Sequence, residues 1–371
     1  SEHKNISPRQ TAVLISKYNN GFGNPIYIQP PRFRDDISAF VLFRAMGVIS
    51  DKRICELILG HTVDDEAPPS PRESDILKFI KASCVDGNSL MTQADAIASI
   101  SKHVMYTPNK IPGYDNDSQK LKFVNDVLVN DLLPHCDTQE SKLHYLGYMI
   151  RSAIELAMGF RNPNDRDSYL NKRVDTTGIL MANLFRNNFN RLVREIQKQI
   201  SSEINNGSWK ATDNYMNIIT KNNIYKIIKS STIENGMKRA LSTGDFSSRG
   251  SSSKVGVAQV LNRLNQMSAL SHLRRVNTPI DKSGKLIAPR KLMSTSWGFL
   301  CCAESPEGAS VGVVKNMSYM THITTKSSSN IIDGWLKDRL TPLSVDLDID
   351  AYKTSYKVMY NGIWMGNTQD P

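Results

Sequence analysis

Two glutamates, Glu304 and Glu307, flank Pro306 in the run CCAESPEG. Carboxylates paired at this spacing can relay protons or hold a divalent cation. With no histidine beside them, they read instead as a turn that anchors neighbouring basic side chains. Ser283, Gly284 and Lys285 carry the ending of a phosphate loop, but the glycine that should open such a loop is Pro279, and Leu286 replaces the hydroxyl that should follow the lysine. His272 stands next to Arg274 and Arg275 and reads as a polar contact within a cationic run rather than a base. The five cysteines, Cys55, Cys84, Cys136, Cys301 and Cys302, form no C-x-x-C pair. Neither a disulfide framework nor a zinc ribbon is expected, and Cys301 and Cys302 are expected to be buried as small apolar side chains.

Charge is the strongest signal. The chain carries a net charge of +10, and residues 236–300 hold eleven Lys or Arg against two acids, so this stretch accounts for nearly all of the excess. Such a block is the electrostatic footprint of a polyanion partner. Arginine forks onto phosphates and lysine supplies a point charge, while Gln259, Asn262 and Asn277 can hydrogen-bond to sugars or base edges. Pro279, Gly284 and Pro289 stiffen the loop that carries Arg274, Arg275, Lys282, Lys285 and Arg290. Aromatics in this stretch are sparse, with only Phe246, Trp297 and Phe299, which argues against a platform of stacked single-stranded bases. The residues point to a grip on a nucleic-acid backbone that does not read sequence.

The elements that must hold these residues follow from patterning. A chain of 371 residues, 40% of them hydrophobic, can build more than one core, and two or three domains are expected. No apolar run of about 18 residues is present, and the polar start SEHKNISPRQ lacks the apolar stretch of a signal peptide. A soluble, intracellular protein is expected, and the missing initiator Met suggests processing or a piece of something longer. DDISAFVLFRAMGVIS predicts a helix capped by Asp35 or Asp36 and ended by Gly47. SKLHYLGYMIRSAIELAMGF predicts another, with Leu143, Leu146, Ile150, Ala153 and Ala157 on its buried stripe. DDEAPPSPRES reads as a loop between helices. A further helix is expected through LFRNNFNRLVREIQKQI, giving way to turns at SSEINNGSW. GDFSSRGSSS reads as a mobile surface loop tip. VGVAQVLNRLNQMSAL has helical spacing through Val257, Val260, Leu261 and Leu264. Beyond Trp297 the alternation in VGVVKNMSYMTHI and YKVMYNGIWMG predicts strands, the second with a turn at Asn361 and Gly362.

The stretch GVAQVLNRLNQMSALSHLRRVNTPIDKSGKLIAPRKLMSTSWGFLCCAESPEGASVGVVKNMS resembles the fork of the second-largest, beta-like subunit of multisubunit DNA-directed RNA polymerases. Its wording is nearer the eukaryotic, archaeal and large-DNA-virus type than the bacterial one. The resemblance continues upstream through NDRDSYLNKRVDTTG and LFRNNF, and DDISAFVLFRAMGVIS is similar to the family's lobe. It implies an α+β, multidomain chain that is an internal fragment of a much longer subunit. Residues 1–178 would be the lobe, 179–242 a returning helical segment of the protrusion, 243–321 the fork, and 322–371 the truncated start of a β-rich external domain.

The implied activity is synthesis of RNA on a DNA template by two-metal in-line transfer. The Mg²⁺ would be held by the aspartate loop of the largest subunit; no DFDGD occurs in this chain, so the fragment alone is expected to bind no metal and to be inactive. GDFSSRGSSS would be a first fork loop carrying Arg249, with Lys254 just beyond it, and DKSGK a second. Gln259, Arg274 and Arg275 would face the RNA-DNA hybrid, and Lys282, Lys285 and Arg290 the downstream DNA. Glu304 and Glu307 would support the active centre by orienting basic neighbours. The family has Pro where Cys302 stands, Thr where Ser305 stands and Arg where Lys254 stands, and the last exchange loses a bidentate fork. Residues 201–230 match poorly and receive no role. Implied partners are the largest and smaller polymerase subunits, template DNA and nascent RNA, with no membrane, and the implied residence is the nucleus, with a viral factory or virion, or an archaeal cytoplasm, as alternatives. The alternative is a standalone, non-catalytic nucleic-acid-binding or assembly module.

Overall fold

The computed structural model describes residues 10–60, 69–106, 116–206, 219–221, 223–247, 255–280, 282–284, 286–324, 328, 330–343, 355–360 and 362–369. They fall into two compact units, Ser1–Pro163 with Thr325–Pro371, and Asn164–Thr324. Helices dominate both and the sheets are small and antiparallel, an α+β arrangement as expected.

In the first unit β1 (Ala12–Ile15), β2 (Ile26–Gln29) and β3 (Ile37–Ser38) pair in sequence order, with Ala12 opposite Gln29 and Ile28 opposite Ile37. The helices are α1 (Ala39–Ala45), α2 (Asp51–Leu59), α3 (Pro71–Gly87), α4 (Gln93–Ser101), α5 (Asn116–Asp126) and α6 (Gln139–Ala157); α5 runs into a single π-helical turn, Val127–Asp131.

Every residue of α1 is buried, so this helix lies inside the core rather than on it, and Gly47 ends it at φ +95° as expected. The expected caps do not form. Ser38 takes the N-cap position without a side-chain bond, and Asp35 instead pairs with His103 at 2.7 Å. Arg44 of α1 is fully buried, donating to the Gly87 and Leu90 carbonyls and to Asp51 at 2.6 Å. The expected loop DDEAPPSPRES is helical at its end. Ser70 and Glu73 form a reciprocal capping box and Pro71 occupies the first turn, where its missing N–H costs nothing. Residues 64–68 of that stretch lie outside the described residues.

The seam of α6 is Leu143, Leu146, Ile150 and Ile154, while Ala153 is half-buried and Ala157 exposed. The helix is rotated from the expected stripe so that the larger Ile154 is buried, which removes more apolar area from water. Gly147 lies on this seam. A Cβ there would overlap the Leu57 carbonyl, so the absence of a side chain is what lets α2 and α6 touch backbone to backbone. The unit also holds α11 (Asn330–Lys337) and the hairpin β6 (Tyr356–Tyr360) and β7 (Ile363–Thr368), turned at Gly362 with φ +78°. Trp364 is buried, and the ammonium of Lys357 lies 4.9 Å from its ring centre and 5.0 Å from that of Tyr148.

The second unit opens with a 3₁₀ turn at Tyr169–Asn171, followed by α7 (Thr177–Asn206), α8 (Ile224–Ile227), α9 (Ser231–Thr243) and α10 (Gln266–Leu273). Helix α7 continues through residues 201–206, which were expected to be turns. Leu184 packs with Ala240 of α9 and Phe246 beyond it. Strands β4 (Arg275–Asn277) and β5 (Val314–Asn316) pair with Arg275 opposite Asn316 and Val276 opposite Lys315.

Residues 255–265 are not the expected helix. Val260 and Leu264 are 94% and 85% exposed, and Asn265 starts α10 with a capping box to Ser268. The side-chain oxygen of Asn262 also accepts from the Leu264 N–H, so local side-chain bonds replace the helical ladder there. Cys301 is half-buried and Cys302 exposed, contrary to expectation, and all five cysteines are free. The Cys301 N–H donates to the carbonyl of Asn316, the last residue of β5, at 2.9 Å, and Cys302 after it is exposed at the start of the acidic turn. Among the described residues no helix is long and apolar enough to cross a membrane.

Candidate nucleic-acid interface

Arg274 and Arg275 are neighbours with opposite employment. Arg274 caps α10, and its half-buried guanidinium donates to the carbonyls of Ser318 at 2.6 Å and Tyr319 at 3.3 Å. Arg275 opens β4 on the exposed side, and its side chain bonds to no described residue. The chain passes from helix cap to strand between the two, which turns them to different surroundings.

The second loop shows the same division. Lys282 is exposed and its side chain is likewise unpaired among the described residues. Arg290 points inward, donating from Nη1 to the carbonyls of Ala309 (2.7 Å) and Val311 (2.8 Å) and from Nη2 to those of Lys282 (2.7 Å) and Gly284 (3.2 Å). Gly312 makes this possible. It sits at φ +69°, and a Cβ would lie 2.6 Å from Arg290 Cα. Lys315 of β5 donates to the Pro289 carbonyl at 3.0 Å and to the Tyr169 hydroxyl, with its ammonium 5.1 Å from the Tyr169 ring centre. Arg274, Arg290 and Lys315 are therefore braces. Arg263, Arg275, Lys282 and Lys291 are exposed, and none pairs with a described carboxylate.

The acidic turn forms no ion pair among the described residues. Glu304 accepts from the Ser271 hydroxyl, tying the turn to α10, and Glu307 has no ion pair among the described residues. Ser305 accepts the Gly312 N–H at 3.0 Å, so the hydroxyl of this turn is a structural acceptor.

Gln259 is held at both ends of its amide. Nε2 donates to the Gly256 carbonyl at 2.8 Å, and Oε1 lies 3.0 Å from Nε2 of His272. The Asn262 N–H donates to Nδ1 of His272 at 3.0 Å, so the imidazole proton lies on Nε2 and donates to Gln259. Of the first loop, Arg249 and Lys254 lie outside the described residues, as does Lys285 of the second. The root of the first loop is pinned: Gly244 is left-handed at φ +72°, its carbonyl accepts the Val257 N–H at 3.0 Å, and Phe246 is buried. Hydrogen bonds from the Ser247 hydroxyl and N–H hold the Asp245 carboxyl below its usual range. Around this framework Trp297, Tyr319 and Met320 are 87%, 91% and 84% exposed. Tyr169, Ser271, Gly312 and Lys315 escaped the sequence reasoning. All four stand in stretches already singled out, but their partners lie far off in sequence or on the backbone, so no local pattern marks them.

Residues 259–323 match the family model RNA polymerase Rpb2, domain 3, and residues 5–175 match RNA polymerase Rpb2, domain 2. DNA-directed RNA polymerase II subunit RPB2 of Encephalitozoon cuniculi is 36% identical over 98% of this chain, and that of Schizosaccharomyces pombe 34% over 99%. The chain belongs to the second-largest-subunit family of DNA-directed RNA polymerases. Similarity within this Rpb2-type family extends to DNA-directed RNA polymerase subunit 2 of Acanthamoeba polyphaga mimivirus, 30% identical over 94% of this chain. The chain spans 28% to 30% of the length of these relatives. The domain 3 match covers β4, β5, α10, the second loop and the acidic turn, and every brace named above except Tyr169. Residues 176–258, with α7 to α9 and the first loop, lie between the two matched segments of the Rpb2-type chain.

Proposed function

We propose that this chain is part of a DNA-directed RNA polymerase that joins nucleotides into RNA on a DNA template, and that residues 243–321 act as its fork. The fork walls the active centre and grips the RNA-DNA hybrid and the downstream duplex without reading sequence. Residues 1–178 serve as the lobe, 179–242 as a returning part of the protrusion, and 322–371 as the start of an external domain. The observation that carries this is the set of exposed cations, Arg263, Arg275, Lys282 and Lys291, left without ion partners among the described residues of the segment that matches domain 3.

Arg275 meets the hybrid, and Lys282 with Lys285 meets the downstream strands. Arg249 and Lys254 extend the grip from the first loop, and Gln259 offers an amide fixed by His272. Arg274 and Arg290 serve the interface by shaping it. Glu304 and Glu307 support the active centre through the turn they form. Catalytic Mg²⁺ belongs to the largest subunit and no residue here is assigned to it, so nucleotidyl transfer requires that partner, the smaller subunits, template DNA and nascent RNA. The compartment is the nucleus, as for a polymerase of the type in the relatives' names.

The test is a salt titration of the chain binding an RNA-DNA hybrid continued by a DNA duplex. Each phosphate contact contributes about 0.9 to the slope of log affinity against log salt. Arg275→Ala with Lys282→Ala is expected to flatten the slope by about 1.8 and to weaken binding about 30-fold at 0.15 M salt. Arg274→Ala is expected to leave the slope in place. An unchanged slope in the double variant overturns the assignment.

A further inference from the structure

We propose that Arg290 is a positioning residue for the polymerase reaction, holding the second loop at a fixed height against the acidic turn rather than binding nucleic acid itself. This rests on the fork function proposed above. A guanidinium has five N–H donors, and Arg290 commits four of them to carbonyls. Only Nε–H is left over, so a bidentate grip on a phosphate requires giving up at least one existing bond.

The four acceptors lie on two separate segments. Lys282 and Gly284 belong to the loop that displays Lys282; Ala309 and Val311 follow the turn that displays Glu304 and Glu307. Two further contacts make the connection stiff. Gly312, next to Val311, lies against the Arg290 backbone and donates its N–H to Ser305 of the turn at 3.0 Å. Lys315 bonds to the Pro289 carbonyl at 3.0 Å. A displacement of the loop is thus passed to the turn through one planar group. Lysine cannot reproduce this, because its three donors radiate from one nitrogen and cannot serve four carbonyls arrayed around a flat fork.

The experiment uses the assembled polymerase carrying Lys282→Ala, Arg290→Lys, Arg290→Ala, or Lys282→Ala with Arg290→Ala, and reads salt-dependent binding of downstream duplex together with elongation rate. Lys282→Ala is expected to flatten the slope by about 0.9, a loss of about 5-fold at 0.15 M salt. Arg290→Lys, which keeps the charge, is expected to lose as much as Arg290→Ala, and Arg290→Ala is expected to add less than about twofold on the Lys282→Ala background, because it acts through that loop. Retention of wild-type binding and rate by Arg290→Lys, or effects of Lys282→Ala and Arg290→Ala that multiply, would overturn the proposal while leaving the fork function standing. A wild-type slope for Lys282→Ala would sink the nucleic-acid role of the loop, and the proposal with it.

Discussion

Replacing Gly312 by alanine isolates the close approach on which the fork framework depends. Two costs combine at this position. The left-handed backbone at φ +69° disfavours any side chain by about 1 to 2 kcal/mol. The new Cβ would also lie 2.6 Å from Arg290 Cα and 2.8 Å from its carbonyl carbon, a backbone contact no rotamer change can relieve. Overpacking of this kind costs about 1 to 3 kcal/mol. Gly308 provides the control. It has φ +86°, but a Cβ there meets nothing within 4 Å, so Gly308→Ala carries only the conformational cost. Hydrogen exchange across residues 286–318 is the suitable assay, because it reads local opening of the braced segment. Gly312→Ala is expected to accelerate exchange of this segment by about 30-fold to several thousand-fold, corresponding to about 2 to 5 kcal/mol, and Gly308→Ala by no more than about 30-fold. Equal acceleration in the two variants would refute the reasoning, since it would mean that contact with Arg290 contributes nothing beyond backbone strain.

Two further outcomes concern the first unit. Burial, followed by the nearby charges of Arg53 and Lys357, pushes the His144 imidazole down from 6.5 to about 4. The unfolded chain therefore takes up this proton first, so the contribution of neutral His144 is complete above about pH 6.5 and is lost as pH falls from there toward 4, a total of up to about 3 kcal/mol. Urea unfolding of the first unit across that range should decline less steeply in His144→Leu, and matching declines would remove His144 as the cause. Arg44→Met keeps the volume but strands Asp51, the buried Gly87 carbonyl and the half-buried Leu90 carbonyl, with an expected loss of about 3 kcal/mol in the same measurement; a loss below about 1 kcal/mol would show that the buried guanidinium is dispensable.

How far the fold could be read from the sequence depended on whether side chains or backbone groups decided the local outcome. Helices α1, α6 and α7 were legible because apolar side chains at helical spacing need a common surface to bury against. The β6–β7 hairpin was legible from alternation around the turn glycine. Residues 255–265 show the same apolar spacing, yet Asn262 and Asn265 bind nearby N–H groups and the helix begins only at Gln266. The cationic character of the fork segment was plain from composition. What composition could not separate was a cation turned to solvent from one turned to carbonyls. Arg274 and Arg275 are identical in type and adjacent, and only the backbone, a helix cap for one and a strand for the other, divides them. Arg290 sits in a run of loop residues, and its four partners are carbonyl oxygens, which every residue possesses and no sequence distinguishes. The partners of the acidic turn were hidden for the same reason: its Ser305 accepts a main-chain N–H, and Glu304 accepts from the hydroxyl of Ser271.

Of the four tryptophans, Trp297, 87% exposed on the second unit, and Trp364, 2% exposed on the first, contrast most, and a variant that keeps only these two (Trp209→Phe with Trp335→Phe) carries two intrinsic dyes of different colour. An indole relaxed by water emits to the red and is open to iodide, whereas one enclosed by protein, with its N–H bonded to the Gly366 carbonyl and to Asn367, emits to the blue and is shielded. Contact of a polyanion or another subunit with the fork would therefore appear as a blue shift and a loss of iodide quenching in the red component alone. Melting of the hairpin that carries Trp364 would shift the blue component in the opposite direction. One unlabelled sample of that variant can thus report, at two wavelengths, on occupancy of the fork and on integrity of the first unit.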